Sequence, residues 1–93
     1  MITFRDLTIR AKCGRSKTEL DKLREGFARW YLYMWTDRTG DVIEWIFVDI
    51  DIMRQKGLLS EKREITMNKD GYTGFVKYTQ FELKQCGALI AWG

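Results

Sequence analysis

The chain has no histidine and no proline among its 93 residues, and only two cysteines. Serine is almost as scarce, with Ser16 and Ser60 its only examples. Each shortage removes a class of reading. Without histidine, the commonest general base and metal ligand is gone. Cys13 and Cys86 lie too far apart in sequence for a disulfide framework or a zinc site, and neither has an activating partner nearby. Both serines fall at expected caps or turns. Gly71 and Gly74 lack the strand-to-helix context of a phosphate-binding loop. No apolar run approaches the roughly 18–20 residues of a membrane span. The N-terminal stretch carries Arg5, Asp6 and Arg10 where a signal peptide needs an apolar core. The expectation is a cytoplasmic protein that is not an enzyme, with no cofactor, no metal and no membrane partner. The lack of proline leaves every strand free to donate its full ladder of hydrogen bonds.

What is present is a single globular domain over residues 1–93, with 45% hydrophobic and 31% charged residues. The net charge of +3 is unevenly spread. Residues 1–30 carry eight Lys/Arg against four Asp/Glu, residues 31–57 three against five, and residues 58–93 five against four. A basic front and an acidic middle are electrostatically complementary to a partner or form a mixed surface, and the excess is too small to demand nucleic acid.

Residues 28–52 hold three of the four tryptophans, Trp30, Trp35 and Trp45. Two apolar runs, 30–35 and 42–48, flank the polar break 36–41. Aromatic and β-branched side chains suit a pleated surface, so the pair predicts a β-hairpin. A helix over the second run is the rival. Asp41 to Glu44 has capping-box spacing, and Arg54 to Gly57 resembles a helix end with a C′ glycine. Against it, Val48, Ile50 and Ile52 alternate with Asp49 and Asp51, and eight of the eleven residues 42–52 are β-branched or aromatic. Strand is preferred, with Asp49 and Asp51 facing solvent. Upstream, Leu7, Ile9 and Ala11 alternate with Thr8, Arg10 and Lys12. Ile2 and Phe4 sit in the opposite phase, which predicts a bulge near Asp6. Ser16 to Glu19 reads as a capping box opening an amphipathic helix to about Gly26, with Leu20, Leu23 and Phe27 as its stripe. Downstream, residues 54–62 form a connector, and strands 63–67 and 72–78 flank a turn at 68–71, with a bulge expected at Gly74. Thr79 to Glu82 has capping-box spacing for a short helix ended by Gly87, and residues 88–92 dock as a last strand. The expected fold is α+β: an antiparallel β-sheet in β-α-β-β-β-β order on one main helix, with a short C-terminal helix in addition.

Function is expected to be binding. Asp49 and Asp51 are the only paired carboxylates of note, and two acids alternating on a strand are usually just solvated. In a hairpin, Tyr31, Tyr33 and Trp35 point to one face and Trp30, Leu32 and Met34 to the other. One helix stripe covers one set only, so an aromatic face is left for an interface. The polar tips of Tyr31, Tyr33 and Trp35 favour them as the outward set, and with Arg38 they are the candidate partner-binding residues. A protein partner is expected first, with self-association into a homodimer as one form of it. In format alone (small size, dense aromatics, mixed charge, no active site), the chain looks like phage or mobile-element inhibitors of host machinery, including anti-CRISPR proteins. The alternative is nucleic acid. Residues 9–26, IRAKCGRSKTELDKLREG, resemble the helix-turn-helix of phage repressor and Cro-type proteins: Gly14 falls at the turn, Leu20 and Leu23 at buried positions of the second helix, and a hairpin follows. That resemblance implies a DNA-binding regulator with Arg15, Lys17, Thr18 and Lys22 toward the DNA.

Overall fold

The computed structural model describes residues 5–93. In them the elements run β1 (Leu7–Cys13), α1 (Glu19–Arg24), β2 (Trp30–Thr36), β3 (Val42–Asp49), α2 (Ile50–Gln55), β4 (Thr66–Met67), β5 (Thr73–Tyr78), α3 (Gln80–Gln85) and β6 (Leu89–Trp92). The protein is α+β and its strand pairings are antiparallel, as expected. The strands form two sheets instead of one, ordered β1-β5-β4 and β2-β3-β6. Three short helices, not one main helix, complete a shared core. Leu7 and Ile9 of β1, Val76 and Tyr78 of β5, and Ile46 and Val48 of β3 meet Leu20, Leu23, Ile50, Met53 and Leu83 from the helices there.

Each helix ends the same way. Gly26, Gly57 and Gly87 take positive φ one residue past the C-cap. Paired bonds close each end, as when Gly26 N–H donates to the Leu23 carbonyl and Phe27 N–H to that of Lys22. The helix starts differ from expectation twice. Thr18, not Ser16, caps α1: its hydroxyl accepts from Asp21 N–H at 3.3 Å, and the Asp21 carboxylate accepts from Thr18 N–H at 2.9 Å. Asp at the third helical position completes the box as Glu does elsewhere. Asp49 is also no solvent-facing strand residue. It is 3% exposed and caps α2, accepting from the Asp51 and Ile52 amides. The alternation at 48–52 is thus the last step of a strand followed by a helical turn, and Ile50 and Met53 become its buried face.

The remaining features are closer to expectation. The hairpin, the turn before Gly71, the Thr79-capped α3 and the terminal strand are present. The strand expected at 63–67 shrinks to Thr66–Met67. Ile2 and Phe4 lie outside the described residues. Within those described, the irregularity of β1 sits between Arg10 and Lys12, opposite Phe75 and Gly74. At Gly74 a Cβ would meet the Ile65 and Met67 side chains at 2.8 Å, so the glycine allows β4 to approach.

Candidate binding surface on the second sheet

The register of β2 with β3 decides which side chains share a face. Tyr31 pairs with Val48, Tyr33 with Ile46 and Trp35 with Glu44. Val48 and Ile46 are fully buried, so this is the inner face. The expected orientation is therefore reversed. Tyr31, Tyr33 and Trp35 pack against the core, their rings in a ladder with centroids 6.2 Å and 5.0 Å apart. The phenol tips that suggested an outward set are used at the margin of the core. Tyr33 Oη lies 2.8 Å from Thr8 Oγ1 on β1, and Tyr31 Oη donates to Glu19 Oε1 on α1 at 2.6 Å. Burial first, then that hydrogen bond to a carboxylate, pushes the Tyr31 hydroxyl pKa well up. At the open end of this face, Glu44 accepts from Gln80 Nε2 at 2.7 Å and pairs with Arg5 at 3.6 Å.

The opposite face carries Trp30, Leu32 and Met34 of β2, which are 50%, 51% and 51% exposed. Phe47 pairs with Leu32, and Trp45 with Met34, so the β3 side chains stand on the same face. Trp30 and Phe47 stack with ring centroids 5.5 Å apart and planes 19° apart. Arg29 lies over the Trp30 ring, 4.5 Å from the centroid, and its guanidinium also pairs with Asp49 at 3.3 Å. A cation held on an indole face is a modest local attraction, and here it sits at the rim of an apolar sheet face. The sequence signal is the uncharged run 30–36. It identifies the strand correctly, but the polar tips of Tyr31, Tyr33 and Trp35 suggest the wrong outward side.

The other candidates are scattered. Arg38 is exposed in the β2–β3 turn, outside the strand that carries the aromatic ladder. Asp37 organises that turn by accepting from Thr39 and Asp41. Residues 9–26 are no helix-turn-helix, because Ile9 to Cys13 belong to β1, where Arg10 and Lys12 alternate with inward side chains. Thr18 is buried as a cap. Arg15 and Lys17 border a surface depression of about 420 Å³ that Asp21, Glu25 and Glu61 also line, and Lys17 pairs with Glu25 at 2.8 Å. Lys22 lines a groove of about 320 Å³ with Phe27 and Tyr31. Basic and acidic side chains share the linings of both depressions. Among the described residues no three Cys, Asp or Glu side chains gather as a metal-ligand set, and no helix is long and apolar enough to cross a membrane. No protein-family model, curated protein or solved structure matches this chain.

Proposed function

We propose that this protein is a non-enzymatic protein-binding module, and that it binds through the outer face of β2 and β3. One observation carries the reading: Trp30, Leu32 and Met34 stand half exposed in a row beside Trp45 and Phe47. Contiguous apolar surface of this kind, rimmed by a charged residue such as Arg29, marks interaction sites more often than ordinary surface. Each 100 Å² or so that a partner removes from water is worth about 2.5 kcal/mol before association costs. Tryptophan and a stacked arginine are also frequent hot spots. The inhibitor role suggested by the chain's format belongs to this proposal and rests on size and composition alone.

Capture from a bacterial lysate, with and without nuclease, tests the reading when the bait is compared with its Trp30→Ala and Phe47→Ala variants. A protein retained in both nuclease arms and lost from both variants supports it. Capture that nuclease abolishes, or that both variants retain, overturns it.

A further inference from the structure

The free edge of β2 separates this strand from every other edge among the described residues. Each sheet has two edge strands, β1 and β4 in the first, β2 and β6 in the second. Unpaired edges invite addition of another strand, and proteins blunt them with charge, brevity or bulges. β1 carries Arg10 and Lys12. β4 is two residues long. β6 has four, with the extra residue Ile90 breaking its register against β3. β2 has seven residues, Trp30 to Thr36, and not one is charged. Its only register shift is at the far end, between Trp35 and Thr36.

Hydrogen bonds around β3 show which backbone groups of β2 face away from it. Trp45 exchanges both of its bonds with Gly93, and Asp49 N–H donates to Ala88, so these residues turn their backbone toward β6. Ile50 N–H donates instead to the Arg29 carbonyl. Backbone direction alternates along a strand, so Ile46 and Val48 bond toward β2, to their partners Tyr33 and Tyr31. Trp30, Leu32 and Met34 therefore point their N–H and C=O groups away from β3. None of the turn, loop and cap hydrogen bonds among the described residues reaches that row.

We propose that a second copy of this chain occupies this edge, pairing β2 antiparallel to β2 about a two-fold axis at Leu32 and joining two three-stranded sheets into one. The pairing rests on the same surface as the proposed function, since the side chains of these residues form its outer face. The strand is complementary to itself. With Leu32 opposite its own equivalent, Trp30 of each copy falls opposite Met34 of the other, which gives a sulfur–aromatic contact at each end. These three residues per copy supply about six backbone hydrogen bonds. Because the strand is uncharged, no like charges oppose one another within it. Its flanks carry unlike charges, Arg29 before and Asp37 after, and the antiparallel arrangement brings one copy's Arg29 end beside the other's Asp37 end. The joined sheet would present both Trp30–Phe47 stacks on one continuous face.

Sedimentation across a range of protein concentration, with amide exchange resolved by residue, tests this on the unmodified chain. A dimer should form as concentration rises, and the Leu32 and Met34 amides should become protected with it. The Tyr31, Tyr33 and Trp35 amides, bonded to β3, should be protected throughout. Leu32→Lys, which adds the charge that edge strands usually carry, should weaken association at least roughly tenfold. A monomer at every concentration overturns the proposal. So does a dimer in which the Leu32 and Met34 amides exchange as fast as in the monomer, which would mean docking by faces. A monomer that still captures another protein through Trp30 and Phe47 overturns the strand pairing alone. A dimer of the expected protection pattern that captures nothing leaves the pairing standing and removes the wider reading.

Discussion

At the scale of single residues, the cap of α1 shows how closely spaced hydroxyls are told apart. Ser16 and Thr18 both precede the helix, and both have a carboxylate three positions on. The structure uses Thr18, whose side chain is buried between Asp21 and the helix start. Its amide, with the hydroxyl, holds the Asp21 carboxyl below the usual range despite the opposing effect of desolvation. Thr18→Ala should therefore lower stability by about 1 kcal/mol, whereas Ser16→Ala should change it by less than about 0.5 kcal/mol. Urea denaturation of both variants checks this, and equal losses would return the cap to Ser16. Tyr78 is a second such case. Its hydroxyl donates to the Leu58 carbonyl at 2.7 Å beneath the Arg63 guanidinium, and its ring is fully buried. Tyr78→Phe keeps the ring and leaves that carbonyl without its partner, so a loss of about 1 kcal/mol is expected by the same measurement.

At the scale of elements, the hairpin is legible in the sequence because β-branched and aromatic residues crowd two runs around a polar break. Its sidedness is not. Both faces of β2 are apolar, so alternation alone carries no sign. What settles the question lies elsewhere in the chain: the hydroxyl of Thr8, the carboxylate of Glu19 and the purely aliphatic Ile46 and Val48 opposite the tyrosines. Partners distant in sequence cannot be read from a local pattern. The start of α2 escapes the sequence for a related reason, although its end at Gly57 is legible. Ile50 and Ile52 fit a strand period, and only the burial of Asp49 as a cap reveals the turn. The C′ glycines and the Thr79 cap are legible because their chemistry is local. The corrected sides make a contrast. At concentrations where the chain is monomeric, Trp30→Ala and Met34→Ala should leave the melting temperature nearly unchanged, while Ile46→Ala should cost about 2–5 kcal/mol. Thermal denaturation of the three variants decides it. Equal destabilisation by all of them would mean that the outer face is covered within the chain.

At the scale of the whole molecule, three carboxylates with lowered pKa hold three connections. Asp21 closes the start of α1, Asp37 accepts from Thr39 and Asp41 in the β2–β3 turn, and Asp70 accepts from Thr73 and Tyr72 in the β4–β5 turn. For each, the ionised form is favoured in the fold, so its contribution is complete above the ordinary value of 3.8 and is lost as pH falls through the lower folded value. Tyr78 works in the opposite direction. Burial keeps the phenol neutral and pushes its pKa from 10.0 up to about 12. A neutral group favoured by folding contributes fully below 10.0, and that contribution disappears as pH rises toward about 12. Tyr31, raised first by burial and then by Glu19, shifts the same way. Stability measured by urea denaturation across pH should therefore fall at both ends, below 3.8 and above 10.0. The limbs are separable by variant. Asp21→Asn should shrink the acid limb and leave the alkaline one, because Asp21 caps α1 through Thr18 and is no partner of either tyrosine hydroxyl. Tyr78→Phe should shrink the alkaline limb and leave the acid one. An alkaline limb unchanged in Tyr78→Phe would assign it to Tyr31 and its bond to Glu19, which Tyr31→Phe would then remove.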